Sequence, residues 1–492
     1  MKVILAGYNV DSQVLEELKE NSPARDDVTP ETLSAAYARI SRDPRPVDRL
    51  RKIAREEVER ARRSNRNIIF KMGHHSVAEH AVFNFDIIGV SRLAIEEIER
   101  FRLGSYTEKS QRYITLQGDF LLPEEVKKAG KESIFLKTVK LQNDLYFRLY
   151  KKLRPFIFQC HKELAENPKK HSLLEGWAKE DARYAVCLAT LGQLGMTLNA
   201  RNLEYFIRRM AAKKLIELAG LNRNIYQLAK EVAPSIILFT EASDFDAQTP
   251  EDLKNKAKDL IHGENPSRED VRLIDFTPDG DEKLLAALFL SALKASYGEC
   301  LDRVKKMSRD EKIDLVKTAF LHMEFYDAAL REWEFIDLTF ELVVSAACFA
   351  QLKRHRMATL TVQEYDPSLG VIVPPSVKEI GEEKQFLEVI RKTDEVYEEL
   401  NRCLENGASY ILTNAHRRRV LLKVNARELY HISRLREDAT AQWDIRNIAG
   451  KMRAEAEKVL PLTCLLIGGK DAYPQIYKKI FGRKPKFSPP PY

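Results

Sequence analysis

The sequence predicts a helix-rich α+β protein built from two tandem copies of one domain. Three observations carry this expectation. At 492 residues the chain exceeds what one ordinary hydrophobic core organises. The same series of segments occurs twice in the same order, at a spacing far longer than a solenoid repeat. Each copy opens on a strand pattern and continues largely in helical periodicity.

The elements follow in order. Val3 to Ala6 reads as a strand, and Asp11 caps the apolar-periodic helix VLEEL. TLSAAYARIS ends at Ser41, and a second strand-like run spans Val82 to Ile88. Near position 271 the series restarts: VRLIDF is a strand, TPDGD a turn and cap, KLLAALFLSAL a helix. LFLSALKASYG, around Ser296, echoes the segment ending at Ser41. FNFDIIGVSRLAIEEIERFR, ending at Arg102, is echoed by DLTFELVVSAACFAQLKRHR, ending at Arg356. MTLNARNLEYFIRRM, Met196 to Met210, is echoed by LKVNARELYHISRLR, Leu422 to Arg436. From Arg100 to Asn199 is 99 residues and from Arg354 to Asn425 is 71, so the first copy carries about 28 extra, assigned to the charged helical stretch after Leu121. The polar, Pro- and Gly-punctuated stretch between the copies reads as a linker. The expected domains are residues 1–240 and 271–492, with 241–270 joining them.

Composition narrows the function classes. Hydrophobic residues make up 44% and charged residues 31%, as in a soluble globular protein. The 80 Lys and Arg against 73 Asp and Glu leave +7, a mild excess that suits an anionic small molecule as well as nucleic acid. HRRRV, His416 to Val420, reads as a solvated or core-flanking helix start rather than a nucleic-acid footprint. No pair of the six cysteines (Cys160, Cys187, Cys300, Cys348, Cys403, Cys464) is spaced CxxC. Reduced thiols in a cytoplasmic protein are expected, with no zinc site. MKVILAGYNVDSQ is interrupted by Asn9 and Asp11 before a leader's apolar region forms, and no apolar run is long enough to span a bilayer.

The chemistry lies in two related stretches, ERFRLGSYTEKSQRY at Glu99 to Tyr113 and KRHRMATLTVQEYD at Lys353 to Asp366. Arg100, Arg102 and Arg112 supply planar cationic forks suited to phosphate, Ser110 a hydroxyl and Glu108 an acceptor. GHHSVAEH, Gly73 to His80, lacks the i, i+4 histidine pair of a zinc helix, so no metal is expected there. It reads either as a helix start capped by Ser76 or as a place where His74 meets a cofactor. The Asn-Ala-Arg segments at 199–201 and 425–427 open helices with a polar edge suited to an anionic cofactor. There is no GxGxxG, no Walker loop, no GxSxG and no cysteine in an electropositive motif.

Taken together, GHHSVAEHAVFNF, RFRLGSYTEKSQRY and TLNARNLEYF resemble the flavin-dependent thymidylate synthases, whose signature is RHRxxSxNExSxRY, preceded by GHxSxxEH and followed by NAR. The second half resembles the same family through RHR and NARELYHISRLREDATAQWDI. The resemblance implies two tandem copies of that family's fold. It also implies FAD, reductive methylation of dUMP at C5, methylenetetrahydrofolate as carbon donor and NADPH as reductant, with no enzyme nucleophile on the uracil. The family forms homotetramers with each dUMP between two subunits, so a homodimer of this chain would make a pseudo-tetramer; no membrane or nucleic-acid partner is implied.

Carried over residue by residue, the resemblance splits. The first copy keeps Glu108, Ser110, Arg112 and Arg183 but has Glu97, Phe101, Tyr205 and Met210 where the other side of a site belongs. The second copy keeps Gln351, Arg354, His355, Arg356, Asn425, Arg427, His431 and Arg436 but has Val362, Glu364, Asp366 and Ser409 in place of the first set, and AALREWEF in place of the GH motif. Composite sites between unlike halves are therefore expected. The resemblance assigns Arg354 and Ser110 to catalysis, and Gln351, Glu108, Ser110, Arg112, Arg183 and Arg436 to the substrate. It assigns His74, Ser76, His355, Arg356, Asn425, Arg427 and His431 to FAD. Thr107 and Thr361 stand where the signature has Asn. A flavin enzyme acting on another uracil-bearing nucleotide or RNA, and a non-catalytic flavin- or nucleotide-binding protein, remain alternative readings.

Overall fold

The computed structural model describes residues 1–19, 26–40, 43–261 and 267–489; Ser41 and positions 262–266 of the expected linker lie outside them. The chain forms two compact units, residues 1–265 with 380–412, and residues 266–379 with 413–492. The segment 380–412, which the expected boundary places in the second half, thus belongs to the first unit. So do two helices within the expected linker, Asp244–Ala247 and Thr249–Leu260.

Each unit is built on a four-stranded antiparallel sheet. The first holds β1 (Lys2–Tyr8), β2 (Val82–Ser91), β3 (Ser105–Glu108) and β4 (Leu191–Asn199) in the order β1-β2-β4-β3. The second holds β5 (Val271–Phe276), β6 (Asp337–Ser345), β7 (Thr359–Tyr365) and β8 (Arg417–Asn425) in the order β5-β6-β8-β7. The shared order is the repeat seen in three dimensions, and the tandem α+β expectation stands. In both sheets alternate residues fill one core face: Phe83, Phe85 and Ile87 of β2 with Leu194, Met196 and Leu198 of β4, and Leu338, Phe340 and Leu342 of β6 with Val420, Leu422 and Val424 of β8.

Equivalent caps start equivalent helices. Ser91 accepts from Ala94 N at 3.0 Å and Ser345 from Cys348 N at 3.0 Å. Asn199 accepts from Asn202 N at 2.9 Å and Asn425 from Glu428 N at 2.8 Å. The Asn of each Asn-Ala-Arg segment is therefore a helix N-cap. Asp11 supports the helix Ser12–Lys19 through Gln13 N at 3.1 Å, as its sequence suggests.

Three expectations need correction. His416–Val420 does not start a helix: Arg417 to Val420 form the first half of β8, and His416 is fully buried, its Nδ1 accepting from Thr413 N at 2.9 Å. Ser76 caps nothing, because it lies inside the short 3-10 segment His75–His80. The strand pattern also under-read each copy. β3 is only four residues long, and β4 reads LGQLGMTLN, whose two glycines mask its β character.

The extra residues of the first copy lie at the far end of the long helix Glu132–Cys160, where Lys162–Ala165 and His171–Ala182 follow; its counterpart Glu383–Cys403 leads to the next short segment through a brief loop. These two long helices pack together inside the first unit. Buried Gln142 donates to Thr393 Oγ1 and to the Ile411 carbonyl, both at 2.9 Å.

Trp333 anchors the core of the second unit. It is fully buried, donates from Nε1 to the Thr463 carbonyl at 3.0 Å and lies 4.8 Å from the Phe320 ring. Trp333→Ala removes this packing and one of the two donors to the Thr463 carbonyl, which keeps the Tyr430 hydroxyl at 2.9 Å. A loss of about 3–5 kcal/mol in chemical denaturation is the expected outcome.

Candidate functional site

The first unit carries a cationic cluster around the turn that follows β3. Glu108 ends β3, opposite Leu194 of β4, and its Oε1 accepts from Arg92 Nη1 at 2.6 Å. Arg92 begins the Ser91-capped helix Arg92–Glu99 and is buried, with Glu96 one turn on at 3.5 Å. Ser110 Oγ accepts from Arg112 N at 3.2 Å, which shapes the turn. Arg112 Nε donates to Glu180 Oε2 at 2.7 Å. Arg183 is buried at the start of the 3-10 segment Arg183–Ala185. Burial pulls its pKa below the usual guanidinium value; Tyr184 and Glu180 oppose that shift, while the positive charges of Arg112 and Arg92 add to it.

Ser110, Arg112 and Arg183 thus share one neighbourhood, with two residues the motifs do not contain, Arg92 and Glu180. Arg92 left a trace in the repeat, where its counterpart after the shared serine is Ala346. Glu180 lies among the extra residues of the first copy and has no counterpart to betray it.

The first copy's other half-motif has become structural. Glu97 pairs with Arg100 at 2.6 Å and Lys213 at 2.7 Å; burial would raise its pKa, but these two cations outweigh burial and bring it down to about 2. Phe101 packs edge-on against Phe206 and Tyr205, and Met210 is in the core. His74 and Ser76 are exposed on and beside the short segment before β2. The glutamate of that segment, Glu79, pairs with Arg201 at 2.5 Å.

The second unit repeats that last pair. Arg427 Nη1 donates to Glu334 Oε1 at 2.9 Å and its Nε to the Ala329 carbonyl at 2.7 Å. A register shift in β2 at Gly89, whose φ is +70°, adds one residue relative to β6. Counting it brings Glu79 onto Glu334. The GH motif of the second copy therefore kept its glutamate, which the sequence comparison missed. In both copies the Asn-Ala-Arg arginine locks the short segment before the central strand.

The arginine motif of the second unit follows the helix Ala346–Leu352. Gln351 is buried near its end; Nε2 donates to the Ala347 carbonyl at 3.4 Å and Gln442 Oε1 at 3.3 Å. Those two acceptors set the amide's orientation, and Gln351 Oε1 is left buried without a hydrogen-bond partner. Arg436 donates from Nε to His355 Nε2 at 2.9 Å and from Nη2 to the Gln351 carbonyl at 3.2 Å. His355 is buried, 5.7 Å in ring centroids from exposed His431. Arg354 and Arg356 flank it on the exposed surface. The structure thus groups Gln351, His355, His431 and Arg436, with Arg354 and Arg356 adjoining in the chain. It gives Asn425 and Arg427 local structural partners.

The second copy's ExSxR stretch has been rebuilt. β7 runs on through Val362 and Glu364 to Tyr365, where β3 stops at Glu108. Arg418, the counterpart of Gly192, stacks over Tyr365 at 4.2 Å and Phe349 at 4.8 Å. Asp366 caps the turn that follows by accepting from Ser368 N at 2.8 Å.

The donor chemistry of the second unit fits a flavin dinucleotide. Arg356 and His431 place positive and hydrogen-bonding groups at the surface, as an anionic diphosphate requires. Among the described residues, no group of three or more His, Cys, Asp or Glu could hold a metal ion, and no helix is long and apolar enough to cross a membrane.

A family model described as thymidylate synthase complementing protein matches residues 26–235 and 272–462, once in each copy. A UPF0159 protein of Thermoplasma acidophilum is 26% identical over 80% of this chain and 86% of its own length. A flavin-dependent thymidylate synthase of Clostridium tetani is 30% identical over 45% of this chain and 86% of its own length. A flavin-dependent thymidylate synthase of Pyrococcus furiosus is 32% identical over 39% and 76% respectively.

Proposed function

We propose, since the chain belongs to the thymidylate synthase complementing protein family in both of its copies, that it is a flavin-dependent thymidylate synthase. It would convert dUMP to dTMP with methylenetetrahydrofolate as carbon donor, FAD as cofactor and NADPH as reductant. The observation that carries this reading is the division of the site residues. The first unit holds an arginine cluster with Ser110, suited to a phosphate. The second holds a buried unmatched acceptor, Gln351 Oε1, suited to the N3–H of a uracil, beside an anchored arginine. Activity would need both sets, and the chain would assemble as a homodimer.

Each set does a distinct task. Arg112, held by Ser110 at its backbone N–H and by Glu180 at its side chain, would hold the nucleotide phosphate together with Arg183 through charge-assisted hydrogen bonds. Gln351 and Arg436 would orient the base, and Arg354 would stabilise negative charge developing on the ring as C5 becomes nucleophilic. Arg356 and His431, with His74 and Ser76 of the first unit assigned to the same cofactor, would hold FAD, which would supply the reducing equivalents; His355, buried and engaged at both ring nitrogens, would act from behind them. Asn425 and Arg427 would act by fixing the backbone beneath them. Four of the six thiols are too buried to rival this scheme. Cys187, Cys300, Cys348 and Cys464 are buried, and burial pushes Cys187 up to about 11, away from the thiolate a covalent mechanism needs.

The purified chain is expected to be yellow or to become so with added FAD, and to form dTMP from dUMP, methylenetetrahydrofolate and NADPH. Methylation of UMP or RNA in place of dUMP would favour the second reading, toward which Thr107 points. Absence of flavin absorbance at saturating FAD would overturn both.

A further inference from the structure

We propose that Glu428 is a positioning residue which, through the ring of His355, sets the orientation of Arg436. The geometry runs as a chain of three side chains. Arg436 Nε can only donate, so His355 Nε2, 2.9 Å away, must be an unprotonated acceptor. A neutral imidazole with a bare Nε2 carries its proton on Nδ1. That atom lies 3.3 Å from Glu428 Oε1, close enough for the carboxylate's charge to favour a proton on the nitrogen that faces it. Glu428 therefore selects the tautomer that Arg436 needs.

The surroundings hold that state. His355 is buried, and burial, then the charge of Arg436, then His431, pull its pKa well below 6.5, so it stays neutral. Glu428 is itself fixed at the backbone, its N–H bound to the Asn425 cap at 2.8 Å; burial raises its pKa, and His431 and Arg427 oppose that rise and favour the carboxylate. Arg436 has its second anchor at the Gln351 carbonyl. The first copy supplies an internal control. There the three counterparts are Asn202, Phe101 and Met210, with Phe101 and Met210 packed into apolar surroundings. All three polar members are present in one copy and absent together in the other, as expected of groups that act as a unit.

This inference rests on the proposed function only where Arg436 meets the nucleotide, and the test separates the two. With histidine and arginine labelled in 15N, the full-length protein is expected to show one histidine, assigned by its loss in His355→Phe, protonated at Nδ1 and bare at Nε2. The Arg436 Nε–H should be slow to exchange. Glu428→Ala should mix the two tautomers, speed exchange at Arg436 Nε and weaken dUMP binding in calorimetry about tenfold, the loss of roughly one hydrogen bond. Glu428→Gln keeps an acceptor oxygen, so it should restore the tautomer and bind dUMP within about twofold of the wild type. An unchanged tautomer in Glu428→Ala, or equal losses in the Gln and Ala variants, would overturn the proposal. A wild-type protein that shows the tautomer but binds no dUMP would overturn the function while leaving the relay standing.

Discussion

Arg354→Ala is expected to abolish dUMP-dependent reoxidation of reduced flavin, by at least about 100-fold, while Arg100→Ala leaves that reaction near the wild-type rate. The two arginines occupy the same place in the two copies, so a sequence comparison treats them alike. The structure separates them. Arg100 is engaged by Glu97, which also holds Lys213, and its neighbour Phe101 packs against Phe206. Arg354 precedes a buried histidine bound to Arg436, in the unit that keeps Gln351. Arg100→Ala should cost about 1–3 kcal/mol of stability, because it leaves Glu97 with one cation of two. Stopped-flow absorbance of the flavin and chemical denaturation of the same two proteins read both effects. Equal activity losses would mean that both arginine motifs work, and the division of labour would fall.

Much of this was legible in the chain. The duplication, the helix cap at Asp11, the helices opened at Asn199 and Asn425, and the complementary loss of motif residues all follow from spacing and residue type. Single-residue irregularities were not legible. The bulge at Gly89 shifts the upstream register by one, and what Glu334 shares with Glu79, a pairing with the arginine of Asn-Ala-Arg, shows only in the structure. HRRRV reads as a solvated or core-flanking helix start. In β8 its three arginines instead serve as tertiary anchors: Arg417 pairs with Asp270, Arg418 stacks on Tyr365, and Arg419 pairs with Glu341 at 2.9 Å. Long-range partners of this kind leave no periodicity to find. The same holds for Glu180, whose pairing with Arg112 depends on the path of an insertion.

Each chain is expected to bind one dUMP and not two. The first copy offers Ser110, Arg112 and Arg183 to a phosphate, while the second offers Glu364, Asp366 and Ser409 at the matching positions. The second copy's loss goes deeper than its residue types. β7 continues to Tyr365 where the first copy turns after Glu108, and Arg418 stacks on that tyrosine while donating from Nε to the Gln363 carbonyl at 2.8 Å. Asp366 is committed to capping the turn at Ser368. Restoring an arginine at 366 alone would therefore not rebuild a phosphate grip. Each charge-assisted hydrogen bond to phosphate is worth roughly 1.5–3 kcal/mol, so each one lost weakens binding about 10- to 150-fold. Two arginines are missing and two carboxylates stand nearby, so the deficit exceeds two such bonds and leaves that position empty at ordinary concentrations. Calorimetric titration of FAD-loaded protein measures the ratio. About one dUMP per chain supports the division between copies, and Arg112→Ala should then remove that single transition. A ratio near two would show that the second copy's substitutions do not impair binding, and a ratio near zero with FAD in place would point to another nucleotide as substrate.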